Sequence, residues 1–293
     1  RKQIFQNRGE LPKQIFFVRV LPKILQILTD DYLLQTVQIT LPGGDAEYLL
    51  NYPMIGTPDH ITSLTYESVD GTGYLDIETD RVYELSPRFA EGYLYLDLLE
   101  PHEVYDKVVV IDAGHGGSMP GATRQGIFEK DLDLQIVEQL QKIFEENGDE
   151  SIGVYYTRLD DSNPTFEQRV GLANKSDADV FISVHNNVAS SGGKVSGTTV
   201  LYDEERGDGP AGGKLLAEIC SEEVCKATGN VNQGLTDGNE IYIIRNAEVP
   251  AALIEVGFMT NEEELQNLRD PVYQRKAAMG IYNAIQRAFE EGY

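Results

Sequence analysis

The sequence predicts an α/β protein, in which a C-terminal domain with a mainly parallel or mixed sheet flanked by helices follows a small β-rich domain. After Lys107, apolar strand-like runs alternate with segments of helical spacing. Between Asp31 and Glu103, short β-type runs are separated by turn residues instead. A chain of 293 residues is long enough for two cores of ordinary size. We therefore predict three segments, namely residues 1–30, 31–105 and 106–293.

The first two segments carry no recognisable chemical motif. Residues 1–30 mix basic side chains with apolar stretches such as 15–18, which favours a linker with a strand over a membrane-proximal segment. In the β-rich accessory domain, His60 and His102 are most simply surface or loop residues. Strands are predicted at residues 33–40, 74–78, 81–85 and 92–96.

In the third segment, stretches with the apolar spacing of helices alternate with apolar runs typical of strands. Apolar residues from Leu132 to Phe144 recur at helical spacing, and Thr165 and Gln168 have the spacing of a capping box. Further helices are predicted at residues 165–175, 214–228 and 273–290. Strands are predicted at residues 108–111, 154–157, 180–184, 198–202, 241–244 and 252–256.

Composition restricts the possible partners. The chain has 48 acidic and 24 basic side chains, a net charge of −24, so nucleic acid is not an expected partner. Cys220 and Cys225 lie five residues apart in a helical pattern, beyond the reach of a disulfide, and should be free thiols. No apolar run approaches the ~20 residues of a membrane span.

A glycine-rich loop follows the first strand of the third segment, from Gly114 to Gly117. It superficially resembles a phosphate-binding loop. However, it continues through Met119 and Pro120 instead of opening a helix, and it lacks the Gly-Lys-Ser/Thr ending. The glycines more plausibly let the chain turn sharply and place His115 at the carboxyl edge of the sheet.

Three further residues could act with His115. His185 ends another apolar strand and shares that edge if the two strands are parallel neighbours, and Glu129 precedes a helix. Two imidazoles and one carboxylate are a common catalytic zinc set. Glu255 stands alone in an apolar strand, as expected of either a general base or one half of a buried ion pair with Arg245. Taken singly, each histidine is more often a hydrogen-bonded residue than a ligand, and Glu129 is ordinary helix N-terminal charge.

Several separated motifs occur together in one order, at residues 110–117, 129–132, 157–158, 183–187 and 250–261. They resemble those of the zinc-dependent N-acetylmuramoyl-L-alanine amidases of the amidase type three family, with the likeness extending over about residues 107–289. One departure is Asn186, where the family usually has alanine, and we expect it to touch no ligand.

The resemblance implies that His115, Glu129 and His185 bind one zinc ion (Zn2+) and that Glu255 is the catalytic glutamate. The implied reaction is hydrolysis of the amide between N-acetylmuramic acid and L-alanine of peptidoglycan, with zinc activating water and Glu255 as general base. Residues 106–293 would then be the catalytic domain of a secreted, autolysin-like cell-wall hydrolase.

The resemblance also implies an extracellular or cell-envelope location, with a signal or anchor segment missing from this chain. We expect a monomer whose N-terminal domain contacts envelope or activator proteins. Residues 186–254 leave little room for the inhibitory helix that some relatives insert. Two alternatives remain, a wall-binding or activator protein without activity and a zinc peptidase that cuts within the peptide stem.

Overall fold

The computed structural model describes residues 15–19, 28–53, 59–206 and 212–293, with the first of these ranges as backbone alone. The chain divides into two compact units, Arg1–Val104 and Tyr105–Tyr293. Of the helices described, none has the length and apolar character needed to cross a membrane.

Within its described residues, the first unit consists of two antiparallel sheets. One sheet has the order β2-β3-β5-β4 and the other the order β1-β7-β6. Alternate residues such as Ile39, Leu75 and Leu96 are buried and form a common core. The strands are β1 (Ile15–Arg19), β2 (Leu28–Asp31), β3 (Thr36–Pro42), β4 (Ile61–Val69), β5 (Thr72–Thr79), β6 (Glu84–Ala90) and β7 (Tyr93–Leu99). Two short helices are α1 (Tyr48–Asn51) and α2 (Pro101–Val104).

The predicted β-rich character of this unit is confirmed. Strands β3, β5 and β7 overlap the predicted runs, whereas β6 begins at Glu84, near the end of the run predicted at 81–85. Strand β4 was missed because it is an edge strand with no buried residue, and its Thr, Ser and Glu residues obscure the two-residue periodicity. Of the predicted segment 1–30, residues 1–14 and 20–27 lie outside the described residues.

The second unit contains a mixed sheet of six strands in the order β11-β8-β12-β15-β13-β14. Only the pairing of β13 with β15 is antiparallel. The strands are β8 (Lys107–Ala113), β11 (Ile152–Tyr156), β12 (Val180–Asn187), β13 (Thr198–Tyr202), β14 (Asn232–Asp237) and β15 (Ala251–Phe258). A small hairpin joins β9 (Thr123–Arg124) to β10 (Ile127–Phe128).

Helices cover the sheet and leave its central strands inaccessible. Residues Val109 and Ile111 of β8 share one core with α3, α5 and α8, while Asp112, next along the strand, meets Arg169 of α4. Burial on both faces explains why β8 reads as a continuous apolar run. The helices are α3 (Glu129–Asn147), α4 (Phe166–Lys175), α5 (Lys214–Thr228), α6 (Tyr242–Asn246), α7 (Glu262–Leu268) and α8 (Pro271–Glu290).

The sequence predicted most of these elements, and the capping box at Thr165 and the free thiols are confirmed. The strand predicted at 241–244 is wrong, because those residues belong to helix α6. Its Ile243 and Ile244 are buried, and a four-residue apolar run has the same pattern in a strand and in a buried helical turn. Strand β14 and helix α7 were not predicted.

Candidate active site

Two histidines lie at one edge of the sheet. Strands β8 and β12 are parallel neighbours, with Val184 paired to Ala113. His115 follows the last residue of β8 by two positions, and His185 lies near the end of β12. Because both strands end at the same edge, the imidazole rings come within 4.8 Å between centroids at an interplanar angle of 80°. The sequence predicted this shared edge.

The loop after β8 has no space for a side chain at two of its glycine positions, 114 and 121. His115 itself has φ of +58°, a left-handed conformation that costs about 1–2 kcal/mol in a residue with a side chain. A Cβ atom at Gly114 would lie 2.3 Å from Cε1 of His185, and one at Gly121 would lie 2.5 Å from Oε2 of Glu129. The glycines therefore let the backbone approach the side chains of His185 and Glu129 closely.

Glu129 joins the two rings. It is the first residue of α3, and its buried carboxylate has Oε1 3.1 Å from Nε2 of His115 and 2.9 Å from Nδ1 of His185. Its other oxygen accepts a hydrogen bond of 2.7 Å from the backbone N–H of Ala122. The helix start therefore presents one carboxylate oxygen midway between two imidazoles, which is the set of donors that the sequence predicted.

Glu129 and His185 strongly affect each other's pKa values. Burial raises the pKa of Glu129, but the hydrogen bonds to His115 and His185 outweigh it and hold that pKa well below its ordinary value. Burial lowers the pKa of His185, but the hydrogen bond to Glu129 and the charges of Asp133 and Glu255 outweigh it and raise the pKa to about 9. A metal ion that binds here at neutral pH must displace a proton from His185.

Asp133 lies beside His115, Glu129 and His185 and is the fourth member of this group. The sequence did not predict it. It is fully buried, and it offers an oxygen within 4.8 Å of donor atoms on His115, Glu129 and His185. Burial above all, and then the Glu129 charge, raise its pKa well above the ordinary value. The signal that could have identified it is helical spacing, since Asp133 lies four residues after Glu129 on the same face of α3.

Asn186 holds Asp133 in place. Its Nδ2 donates a hydrogen bond of 2.7 Å to Oδ1 of Asp133, while Oδ2 has no hydrogen-bond partner among the described residues. The backbone N–H of Asn186 also lies 3.3 Å from Oε1 of Glu129. The expectation that Asn186 touches none of the predicted ligands is therefore wrong, because α3 packs against β12 and brings Glu129 within reach of the Asn186 backbone.

Glu255 lies on the strand next to His185. The two residues are register partners on the parallel strands β12 and β15, so their side chains leave the same face of the sheet. Oε2 of Glu255 is buried and receives no hydrogen bond from the part of the chain that the structure describes. Arg245, the alternative ion-pair partner, donates instead to the backbone oxygen of Asn239. Burial first, and then the charge of Glu129, raise the pKa of Glu255 to about 7 against the opposing effect of His185.

These residues fit a zinc ion. Two imidazole nitrogens and a carboxylate oxygen are donors that zinc accepts in catalytic sites, where a fourth position stays open. The positive φ of Gly121 and the contacts that a Cβ atom there would make with Glu129 and His115 indicate that the glycine preserves space around the donors. Glu255 is not part of the donor group, which leaves its carboxyl available for proton transfer.

The chain is similar to known cell-wall amidases. Residues 109–287 match the amidase type 3 family model, described as N-acetylmuramoyl-L-alanine amidase. The germination-specific N-acetylmuramoyl-L-alanine amidase of Bacillus subtilis is 32% identical over 199 residues, which cover 63% of this chain and 81% of that protein. The uncharacterized protein YqiI of the same organism is 34% identical over 187 residues, 63% of this chain and 86% of that protein.

Solved structures agree with the family match. The catalytic domain of CwlV, an N-acetylmuramoyl-L-alanine amidase from Bacillus (Paenibacillus) polymyxa, is 32% identical with a TM-score of 0.57, covering 63% of this chain and 98% of that one. The CwlD amidase of Clostridioides difficile, solved in complex with the GerS lipoprotein, is 31% identical with a TM-score of 0.55, covering 63% and 99%. Since the family model spans more than half of the sequence, the chain belongs to the N-acetylmuramoyl-L-alanine amidase family, amidase type 3.

Proposed function

We propose that residues 106–293 form a zinc-dependent catalytic domain that hydrolyses the amide bond between N-acetylmuramic acid and L-alanine in peptidoglycan. His115, Glu129 and His185 hold the ion. The observation that carries this proposal is the position of one carboxylate oxygen of Glu129 within 3.1 Å of both imidazole rings. Three donors of these types at one edge of the sheet are what a catalytic zinc ion needs.

Glu255 moves the proton in the proposed reaction. When bound, zinc supplies Lewis acidity that polarises a carbonyl group and a water molecule. Glu255 accepts a proton from the attacking water, and the water oxygen forms a bond to the lactyl carbonyl carbon. As the carbon–nitrogen bond breaks, Glu255 returns the proton to the amine of L-alanine. A pKa of about 7 suits a group that must both accept and donate a proton near neutral pH.

Two observations support this assignment of Glu255 over a structural role. Its Oε2 has no hydrogen-bond partner among the described residues, so that oxygen is not part of an ion pair with any of them. Glu255 also shares a strand register with His185 and is not one of the residues that could hold a metal ion, which supports a role next to the proposed donors. A buried carboxyl oxygen without a hydrogen-bond partner destabilises a fold, and groups with strongly shifted pKa values cluster at functional sites.

Digestion of purified peptidoglycan tests the reaction. The chain is incubated with peptidoglycan alone, with a chelator, and with a chelator followed by added zinc, and the released fragments are identified by mass. We expect stem peptides with a free L-alanine N-terminus, lost on chelation and restored by zinc. Fragments that begin at another stem residue would assign a peptidase instead, and absence of release from a zinc-loaded chain would favour a binding protein without activity.

We further propose that the protein acts in the cell envelope and that its N-terminal unit contacts an envelope or activator protein. The support is indirect: a relative, CwlD, has been solved in complex with a lipoprotein. Retention on purified cell wall should therefore be compared between the full chain and residues 105–293. Equal retention of both would argue against a wall-targeting role for the N-terminal unit and favour protein docking.

A further inference from the structure

Two buried arginines surround the loop that carries His115. Arg158 follows β11 and Arg169 belongs to α4, and each is only 3% exposed. A guanidinium group that leaves water needs a partner for its charge and for its N–H donors, so two such groups at one loop call for an explanation. Neither group belongs to the zinc-ligand set, and neither has a part in the proton transfer described above.

The two guanidinium groups bind three consecutive carbonyl oxygens. Arg158 donates from Nε to the oxygen of Ala113 (2.9 Å) and from Nη2 to that of Gly114 (2.5 Å). Arg169 donates from Nη1 to the oxygen of Ala113 (2.7 Å) and from Nη2 to that of His115 (2.6 Å). Every carbonyl from the end of β8 to His115 is therefore fixed by a charged donor.

Arg158 also reaches the segment that carries the second ligand. Its Nη2 donates a hydrogen bond of 2.9 Å to the backbone oxygen of Lys130, the residue after Glu129 in the first turn of α3. One guanidinium group therefore connects the loop of His115 to the helix start of Glu129. These two residues lie 14 positions apart along the chain, and this contact is one of the hydrogen bonds that hold their backbones together.

A buried carboxylate aligns Arg169. Asp112 is 1% exposed, and its Oδ1 accepts from Nη1 of Arg169 (2.5 Å) and from the hydroxyl of Thr157 (2.6 Å). Its Oδ2 accepts from the hydroxyl of Ser183 (2.6 Å). Burial raises the pKa of Asp112, but Arg169 and the two hydroxyl groups outweigh it and keep that pKa below its ordinary value. The carboxylate therefore stays charged and holds the guanidinium plane in one orientation.

We propose that Arg158 and Arg169 are positioning residues that set the zinc affinity of this centre through backbone carbonyl groups. The left-handed φ of His115 and the close contact of Gly114 with the His185 ring require a loop conformation that the free chain would not hold. The two arginines fix that conformation before the metal binds. The inference rests on the proposed zinc-ligand role of His115 and Glu129.

Arg158→Lys and Arg169→Lys test the inference. A lysine keeps the positive charge but cannot bind two carbonyl groups in the planar geometry of a guanidinium group. Zinc dissociation constants are measured by competition with a chromogenic chelator, and denaturant unfolding of each metal-free variant is measured in parallel. Arg275→Gln, which removes a surface ion pair with Glu146, is the control.

We expect each lysine variant to raise the zinc dissociation constant about 10- to 100-fold, the range found for residues that orient metal ligands. Activity should return to within about threefold of the parent value at saturating zinc, and Arg275→Gln should bind zinc as the parent does. Variants that unfold more easily but bind zinc with parental affinity would overturn the proposal. If the parent itself binds no zinc, the proposed function fails instead.

A gentler variant covers the case in which a lysine variant does not fold. Ser183→Ala removes one hydrogen bond from Asp112 and leaves both guanidinium groups in place. We expect a loss of about two- to fivefold in zinc affinity, since a less firmly held carboxylate aligns Arg169 less well. An unchanged zinc dissociation constant in Ser183→Ala would then count against the proposal.

Discussion

Replacement of Glu255 by glutamine is expected to abolish turnover and, in the metal-free protein, to raise stability at alkaline pH. The parent protein must keep a carboxylate buried beside Glu129, with one oxygen lacking a hydrogen-bond partner in the described structure. Glutamine has nearly the same shape but carries no charge, so the free energy of burying the charge disappears. The residue that the proposed reaction needs is therefore one whose replacement should stabilise the fold.

The structure gives the size of this effect. Burial, followed by the charge of Glu129, raises the pKa of Glu255 from 4.5 to about 7 against the effect of His185. The difference between these two values corresponds to about 3 kcal/mol. The pKa of Glu255 is higher in the folded state than in the unfolded state. The parent protein therefore has this additional free energy of unfolding in full below pH 4.5 and loses it as the pH rises through about 7. Above pH 7 the glutamine variant should therefore be the more stable protein by about 3 kcal/mol.

Denaturant and thermal unfolding of the metal-free proteins at pH 4 and pH 8 provide the assay. For a domain the size of Tyr105–Tyr293, the expected gain at pH 8 corresponds to an increase of about 6–12 °C in Tm. Ionisation of Asp133 and of other groups contributes to both proteins and largely cancels in the difference. Glu263→Gln, the same substitution at an exposed position of α7, is the matched control and should change stability little at either pH.

Three results would refute this reasoning. The first is equal stability of parent and Glu255→Gln at pH 8, because the buried carboxylate would then carry no penalty. The second is a gain of the same size at pH 4, since a protonated Glu255 should resemble glutamine. The third is normal turnover by the variant, which would remove Glu255 from the proposed mechanism.

Two further predictions concern metal binding. Gly121→Ala should weaken zinc binding about tenfold or more relative to Gly126→Ala: both positions have positive φ, but only a Cβ atom at 121 meets Glu129 and His115. Equal zinc dissociation constants in a chelator competition would contradict this. Zinc binding at pH 7.5 should also release at least one proton, the one on His185, because its hydrogen bond to Glu129 and nearby acidic charges raise its pKa to about 9 despite burial. Isothermal titration in two buffers of different ionisation enthalpy measures this number, and a value of zero would contradict it.

The sequence determined the parts of the site whose signal is local. His115 and His185 each follow an apolar run, and Glu255 interrupts one, so the pattern of burial along single strands marked all three. Glu129 was predicted because it precedes a segment in which apolar residues recur at helical spacing. Parallel pairing of β8 with β12 then follows from the alternation of strands and helices, because such connections return each strand to the same direction.

Only the tertiary structure decided how those residues are held. Asp133 pairs with Asn186 across 53 positions of sequence, and Arg169 reaches the carbonyl of His115 across 54. Nothing in the local pattern specifies such pairs, because they depend on the register between strands and on the rotation of each helix about its axis. The short run at residues 241–244 was wrongly predicted as a strand for the same reason. The two isoleucines of α6 are buried in either conformation, and only the packing around them selects the helix.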